Sequence, residues 1–127
     1  MTSEKILITG SNGQLGTVIA KRLIEKHGHD SVIMSDIKEP SESVHKFEFL
    51  DILNKNALSE IFHKHRVTQV YHLAAILSAT GEKIPMKCWE VNVTGYLNVL
   101  EACRETGVKK IFFPSSIAVF GLSLIHI

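Results

Sequence analysis

The chain has 127 residues, 45% of them apolar and 21% charged, which suits one globular domain with a buried core. Fourteen basic against thirteen acidic residues leave a net charge of +1, so neither a nucleic acid nor a strongly acidic partner is indicated. No run approaches the roughly 18 apolar residues of a membrane span. The opening MTSEKILITG reads as a strand rather than a secretion signal, so a cytoplasmic location is expected.

Residues 4–9 (EKILIT) form a short apolar run with polar flanks, the pattern of a buried parallel strand. Leu15, Val18, Ile19, Leu23 and Ile24 then recur at helical spacing, with Gly28 placed to end the helix. Val32-Ile33-Met34 predicts a second strand ending at Asp36, and Pro40 with its Ser/Glu neighbours predicts a loop. A third strand is expected over 45–49, stopping before Asp51. From Asn54 to about His65, the residues Leu58, Ile61, Phe62 and His65 share one helical face. Residues 68–75 (TQVYHLAA) predict a fourth strand. Residues 83–106 predict a long amphipathic helix with Trp89, Val93, Tyr96, Leu97, Leu100 and Cys103 on its stripe, Pro85 being tolerated in the first turn. Val108 to Phe113 predicts a fifth strand.

Strands alternating with helices imply parallel pairing through right-handed crossovers. The expected fold class is therefore α/β, a doubly wound parallel sheet of about five strands with helices on both faces. Residues 1–121 make up this domain, and the sheet looks unfinished.

Thr9-Gly10-Ser11-Asn12-Gly13-Gln14-Leu15-Gly16 lies between the first strand and the first helix, where a dinucleotide-binding turn belongs. Gly10 permits a tight turn, Gly13 lets backbone approach a pyrophosphate, and Gly16 allows close helix packing. The helix N-terminus offers N–H groups and partial positive charge to the phosphates. Asp36 stands about 20 residues beyond Gly16, where a carboxylate can accept from adenosine ribose hydroxyls and repel a 2′-phosphate. NAD is thus expected over NADP, with Asp36 as a plain strand-end turn residue the competing reading.

Other chemistry-bearing residues have plainer readings. The seven histidines include His63 and His65, two apart and so on different sides of a helix, and no metal site is expected. Cys88 and Cys103 lack metal or redox spacing and read as small buried thiols.

The glycine spacing TGxxGxxG, with Thr-Gly closing the strand, resembles the extended short-chain dehydrogenase/reductase superfamily, the NAD-dependent epimerases and dehydratases. Asp51-Ile52 is similar to the pair that contacts adenine there, and Leu73-Ala74-Ala75 to a cofactor-lining segment. Asn92 in the long helix matches the buried structural asparagine of that family, and the resemblance places it among the cofactor-binding residues. Ser115-Ser116 resembles the serine-bearing strand end, Ser115 on the cofactor side and Ser116 at the catalytic Ser/Thr position. The segments HLAAILSATGEKIP, NVLEA and FFPSSIAVFG, together with Trp89, look most like the short-chain type of L-threonine 3-dehydrogenase. That resemblance implies oxidation of the threonine 3-hydroxyl to a ketone with hydride passing to NAD, in a homodimer. Ser78 and Thr80 either line the substrate end of the cleft or cap a helix before Glu82.

The family's base is a tyrosine followed four residues later by a lysine. After Tyr71 and Tyr96 that place is held by Ala75 and Leu100, so this stretch is expected to be the N-terminal part of an enzyme, inactive alone. The apolar 122–127 (LSLIHI) reads as a non-native tail. A nucleotide-sugar epimerase or dehydratase of the same superfamily, or a non-catalytic NAD-binding module, are the alternatives.

Overall fold

Ile6, Leu7 and Ile8 have no solvent exposure at all, so both faces of the strand that carries them are covered. The computed structural model describes residues 4–74 and 85–114. In it this strand, β1 (Ile6–Thr9), is the centre of a five-stranded sheet with β2 (Val32–Asp36), β3 (Phe47–Phe49), β4 (Gln69–His72) and β5 (Lys110–Phe112). The order is β3-β2-β1-β4-β5 and every pair is parallel. All strands therefore end at one edge. The chain winds outward in one direction from β1 to β3 and in the other from β4 to β5, and the crevice where the winding reverses lies between β1 and β4.

Successive side chains of a strand point to opposite faces, and the core divides accordingly. Leu7, Ile33 and Val70 pack with Leu58, Ile61 and Phe62 of α2 (Lys55–His65) and with Val99, Ala102 and Cys103 of α4 (Tyr96–Thr106). Ile6, Ile8, Val32 and Met34 pack with Ala20 and Leu23 of α1 (Gln14–His27). The expected doubly wound architecture is the observed one.

The local signals behave as their chemistry dictates. Asn54 caps α2, its Oδ1 accepting from Ala57 N at 3.0 Å, a contact worth about 1 kcal/mol. Gly107 ends α4 with φ +76, the left-handed position open to glycine. His65 lies at the edge of the α2 face, with Nε2 2.6 Å from Glu48 Oε2. Cys103 is buried, which pushes its thiol up to about 11, whereas Cys88 is only half-buried.

Three expectations need correction. The long helix is not uniform: α3 (Pro85–Trp89) passes into a π-helical stretch, Glu90–Gly95, before α4 begins. Its buried face is Gly95, Asn98, Val99, Ala102 and Cys103, while Trp89 and Leu97 of the expected stripe are 65% and 56% exposed. The true face contains a glycine and an asparagine, which a reading by hydrophobicity passes over. In α1 the buried residues are Gly16, Ala20 and Leu23, and Leu15 and Val18 are exposed. Small residues there let the helix lie close to the sheet. The outer strands are also shorter than expected, β3 and β5 keeping three residues each.

Candidate cofactor site

The turn from β1 into α1 is held by contacts that leave no room for side chains. Gly10 has φ +66, and a Cβ there would lie 2.7 Å from Ala74 N. At Gly16 a Cβ would meet the Ser11 backbone, also at 2.7 Å. Gly13 differs: its Cβ would find only the Gly10 carbonyl oxygen, at 3.7 Å. Ser11 is fully buried, and its N and Oγ both donate to Ser35 O at 3.0 and 3.1 Å, tying the turn to the end of β2. Gly13 caps α1 with no side-chain hydrogen bond, and the first turn carries no acidic residue. The N-terminal end of α1, at Gln14 and Leu15, is thus an uncapped and uncompensated positive dipole end.

Asp36 stands beside this turn. Its Oδ2 accepts from Asn12 N at 3.0 Å and its Oδ1 from Ile37 N at 2.7 Å. A carboxylate has about four acceptor positions, so both oxygens keep capacity for further donors. The Asn12 side chain reaches the other way, Nδ2 donating to Lys38 O at 2.8 Å and to Glu39 O at 3.3 Å.

On the far side of the turn lies a pair that sequence reasoning missed. Thr9 Oγ1 accepts from Leu73 N at 3.0 Å and Ala74 N at 3.1 Å, and lies 2.8 Å from His72 Nδ1. With both lone pairs engaged, the hydroxyl donates to Nδ1, which places the ring proton on Nε2. His72 is 1% exposed and its Nε2 has no partner among the described residues. The ring stacks on Tyr96 and Phe113 at 5.3 and 5.8 Å. Burial lowers its pKa to about 4, so it is neutral at ordinary pH. The pairing comes from the strand register. Thr9 and His72 are register partners, polar residues at the same level of two adjacent buried strands.

The remaining expected residues are distributed unevenly. Asp51 is exposed after β3, its Oδ1 accepting from Leu53 N at 3.0 Å. The side chain of Ile52 is 4% exposed and belongs to the core, and its carbonyl accepts from Asn98 Nδ2 at 3.1 Å. Asn92 is half-buried rather than buried, with Nδ2 3.3 Å from Cys88 Sγ, and the buried asparagine of this helix is Asn98. Leu73 and Ala74 adjoin Gly10. Ala75, Ser78, Thr80, Ser115 and Ser116 lie outside the described residues.

A family model described as the NAD dependent epimerase/dehydratase family matches residues 6–125. The chain belongs to that family. Its members are NAD-dependent by that description, and NAD is the cofactor. An uncharacterized epimerase/dehydratase of Staphylococcus haemolyticus is 41% identical over 122 residues, 93% of this chain and 38% of the relative. The chain thus spans well under half the length of that curated relative. The holo structure of a GalE-like L-threonine dehydrogenase from Cupriavidus necator superposes with a TM-score of 0.84 at 47% identity, over 89% of this chain and 37% of that one. The NAD complex of a UDP-glucose 4-epimerase from Thermus thermophilus gives 0.76 at 33% identity, over 84% and 36%.

The residues present fit a dinucleotide. A glycine, Gly13, where an added Cβ would make a single ordinary contact, an uncapped helix end and a carboxylate with spare acceptor capacity stand on the edge where strands β1 and β2 finish. Among the described residues no group of three His, Cys, Asp or Glu could hold a metal ion, and no helix is long and apolar enough to cross a membrane.

Proposed function

We propose that this chain is the N-terminal, NAD-binding part of an NAD-dependent L-threonine 3-dehydrogenase, with residues 1–121 forming that part. The observation that carries the reading is the higher identity to the Cupriavidus L-threonine dehydrogenase, 47%, than to the Thermus UDP-glucose epimerase, 33%, over similar shares of the chain.

In this reading the N-terminus of α1, with Gly10 to Gly16, holds the pyrophosphate, and Asp36 accepts from the adenosine ribose. Asp51, Ile52, Leu73, Ala74, Ala75, Asn92 and Ser115 line the rest of the cofactor. When bound, NAD supplies the acceptor for the hydride leaving threonine C3. Ser116 orients the substrate oxygen, and Ser78 and Thr80 line the substrate end. The base that takes the hydroxyl proton, a tyrosine with its lysine, belongs to the part of the relatives' length that this chain does not span, so the chain is inactive alone. The whole protein works as a cytoplasmic homodimer in threonine catabolism, and 122–127 are not native residues.

The deciding experiment is to read the source locus past Gly121 and assay the product with L-threonine and NAD. Formation of NADH and 2-amino-3-oxobutanoate is the expected result. A product that ignores L-threonine but interconverts nucleotide sugars would replace this reading with the epimerase one. A reading frame ending at Ile127 would leave an NAD-binding module.

A further inference from the structure

We propose that Asn98, which lies in the helix layer and touches no cofactor, is a positioning residue for the adenine end of NAD. The proposal rests on the reading of Asp51 and Ile52 as the adenine pair. Asn98 is on the buried face of α4 and only 7% exposed. Its Nδ2 donates to Ile52 O at 3.1 Å, across 46 residues of sequence. Its neighbours on that face, Val99, Ala102 and Cys103, are core residues, so the amide is the one group there that reaches out of its helix to hold backbone elsewhere.

The bond matters for what the held peptide holds in turn. The peptide unit between Ile52 and Leu53 is fixed at both ends. Its oxygen accepts from Asn98, and its N–H, on Leu53, donates to Asp51 Oδ1 at 3.0 Å. The preceding unit, between Asp51 and Ile52, is held by its oxygen, which accepts from Asn54 N at 2.9 Å. Its N–H, on Ile52, has no partner among the described residues, and neither has Asp51 Oδ2. What remains is one donor beside one acceptor, the complement of the N1 acceptor and N6 donor on the edge of adenine. The pair stands just past β3 on the same sheet edge as Asp36, whose carbonyl accepts from Leu50 N at 2.9 Å. The other hydrogen bonds of residues 51–53 close within the turn, so among the described residues Asn98 is its one hydrogen-bonded tie to another element. The Ile52 side chain, resting on bare backbone at Gly95, sets where the turn sits. The Asn98 bond sets how its peptide planes are rotated, and with them the aim of the Asp51 carboxylate.

The test uses the base itself, because loss of stability alone does not change which base is preferred. In the hypoxanthine analogue of NADH the edge is reversed, N1–H being a donor and O6 an acceptor, so each meets its own kind at Ile52 N–H and Asp51. Calorimetry on the full-length protein is expected to show NADH bound about tenfold more tightly than this analogue (about 1.4 kcal/mol). Asn98→Ala should weaken NADH about fivefold and leave the analogue nearly unchanged, shrinking the preference to about twofold. Val99→Ala, which truncates a fully buried residue of the same helix, should lower stability and keep the preference. Asn98→Ser, too short to reach Ile52 O, supplies the same comparison where Asn98→Ala fails to fold. A folded Asn98→Ala or Asn98→Ser that weakens both nucleotides alike, or a Val99→Ala that loses the preference equally, would overturn the proposal and leave Asn98 a stability residue. A wild-type protein with no preference, or an Asp51→Ala variant that keeps it in full, would instead overturn the adenine reading beneath it.

Discussion

Glycines occupy close quarters at two places in this molecule, and what they touch is different. At the phosphate turn a side chain on Gly10 or Gly16 would strike backbone, of Ala74 and Ser11, at 2.7 Å. Where the long helix crosses the sheet, a Cβ on Gly95 would meet the end of the Ile52 side chain, its Cδ1 at 2.5 Å. The overlap is as severe, but a side-chain tip can turn aside and a peptide unit cannot. Rigidity at the cofactor edge is therefore a property of backbone packed on backbone, whereas the helix layer is held by side chains that can rearrange.

The sharpest way to break this contrast is Gly10→Ala. It combines backbone overlap with a left-handed φ of +66, and about 4 kcal/mol of stability should be lost in urea titration. A loss below about 1 kcal/mol would mean that the turn yields after all.

Acid tests the same edge through His72. Its pKa falls from 6.5 to about 4 on folding, so below the unfolded value the unfolded chain binds the proton and the folded chain does not. Stability should therefore fall as pH drops through that window, by about 3 kcal/mol in all, and level off beneath it. Protonating Nδ1 would also remove the acceptor of the Thr9 hydroxyl, whose oxygen holds Leu73 N and Ala74 N. His72→Gln should flatten this pH dependence, and a slope that persists in the variant would place its origin elsewhere.

The smallest effect is expected at the helix. Gly95→Ala should cost about 1–2 kcal/mol, because Ile52 can rotate and alanine favours the helix. Should it cost as much as Gly10→Ala, the distinction between the two places fails.

How much of this was legible beforehand follows the same division. The turn could be read because each glycine answers to a local demand, and Asp36 follows at the distance that a strand–helix–strand unit dictates. The parallel sheet could be read because its strands are short apolar runs between helices. The buried side of the long helix could not. Gly95 and Asn98 carry no apolar signal, and Asn98 is buried because the Ile52 carbonyl, distant in sequence, needs a donor. Thr9 and His72 were invisible for a related reason. Each looks ordinary in its own strand, and only the register that places them side by side makes them a pair.

Trp89 is the one tryptophan of the chain, and it is 65% exposed on α3, next to the π-helical stretch. Indole emission thus reports on a single known position bathed in water. Collisional quenchers should reach it freely in the native protein, and anything that covers α3, whether a further segment of chain or a second subunit, should shield it and shift the emission to the blue. The chain carries its own optical probe for whatever meets α3.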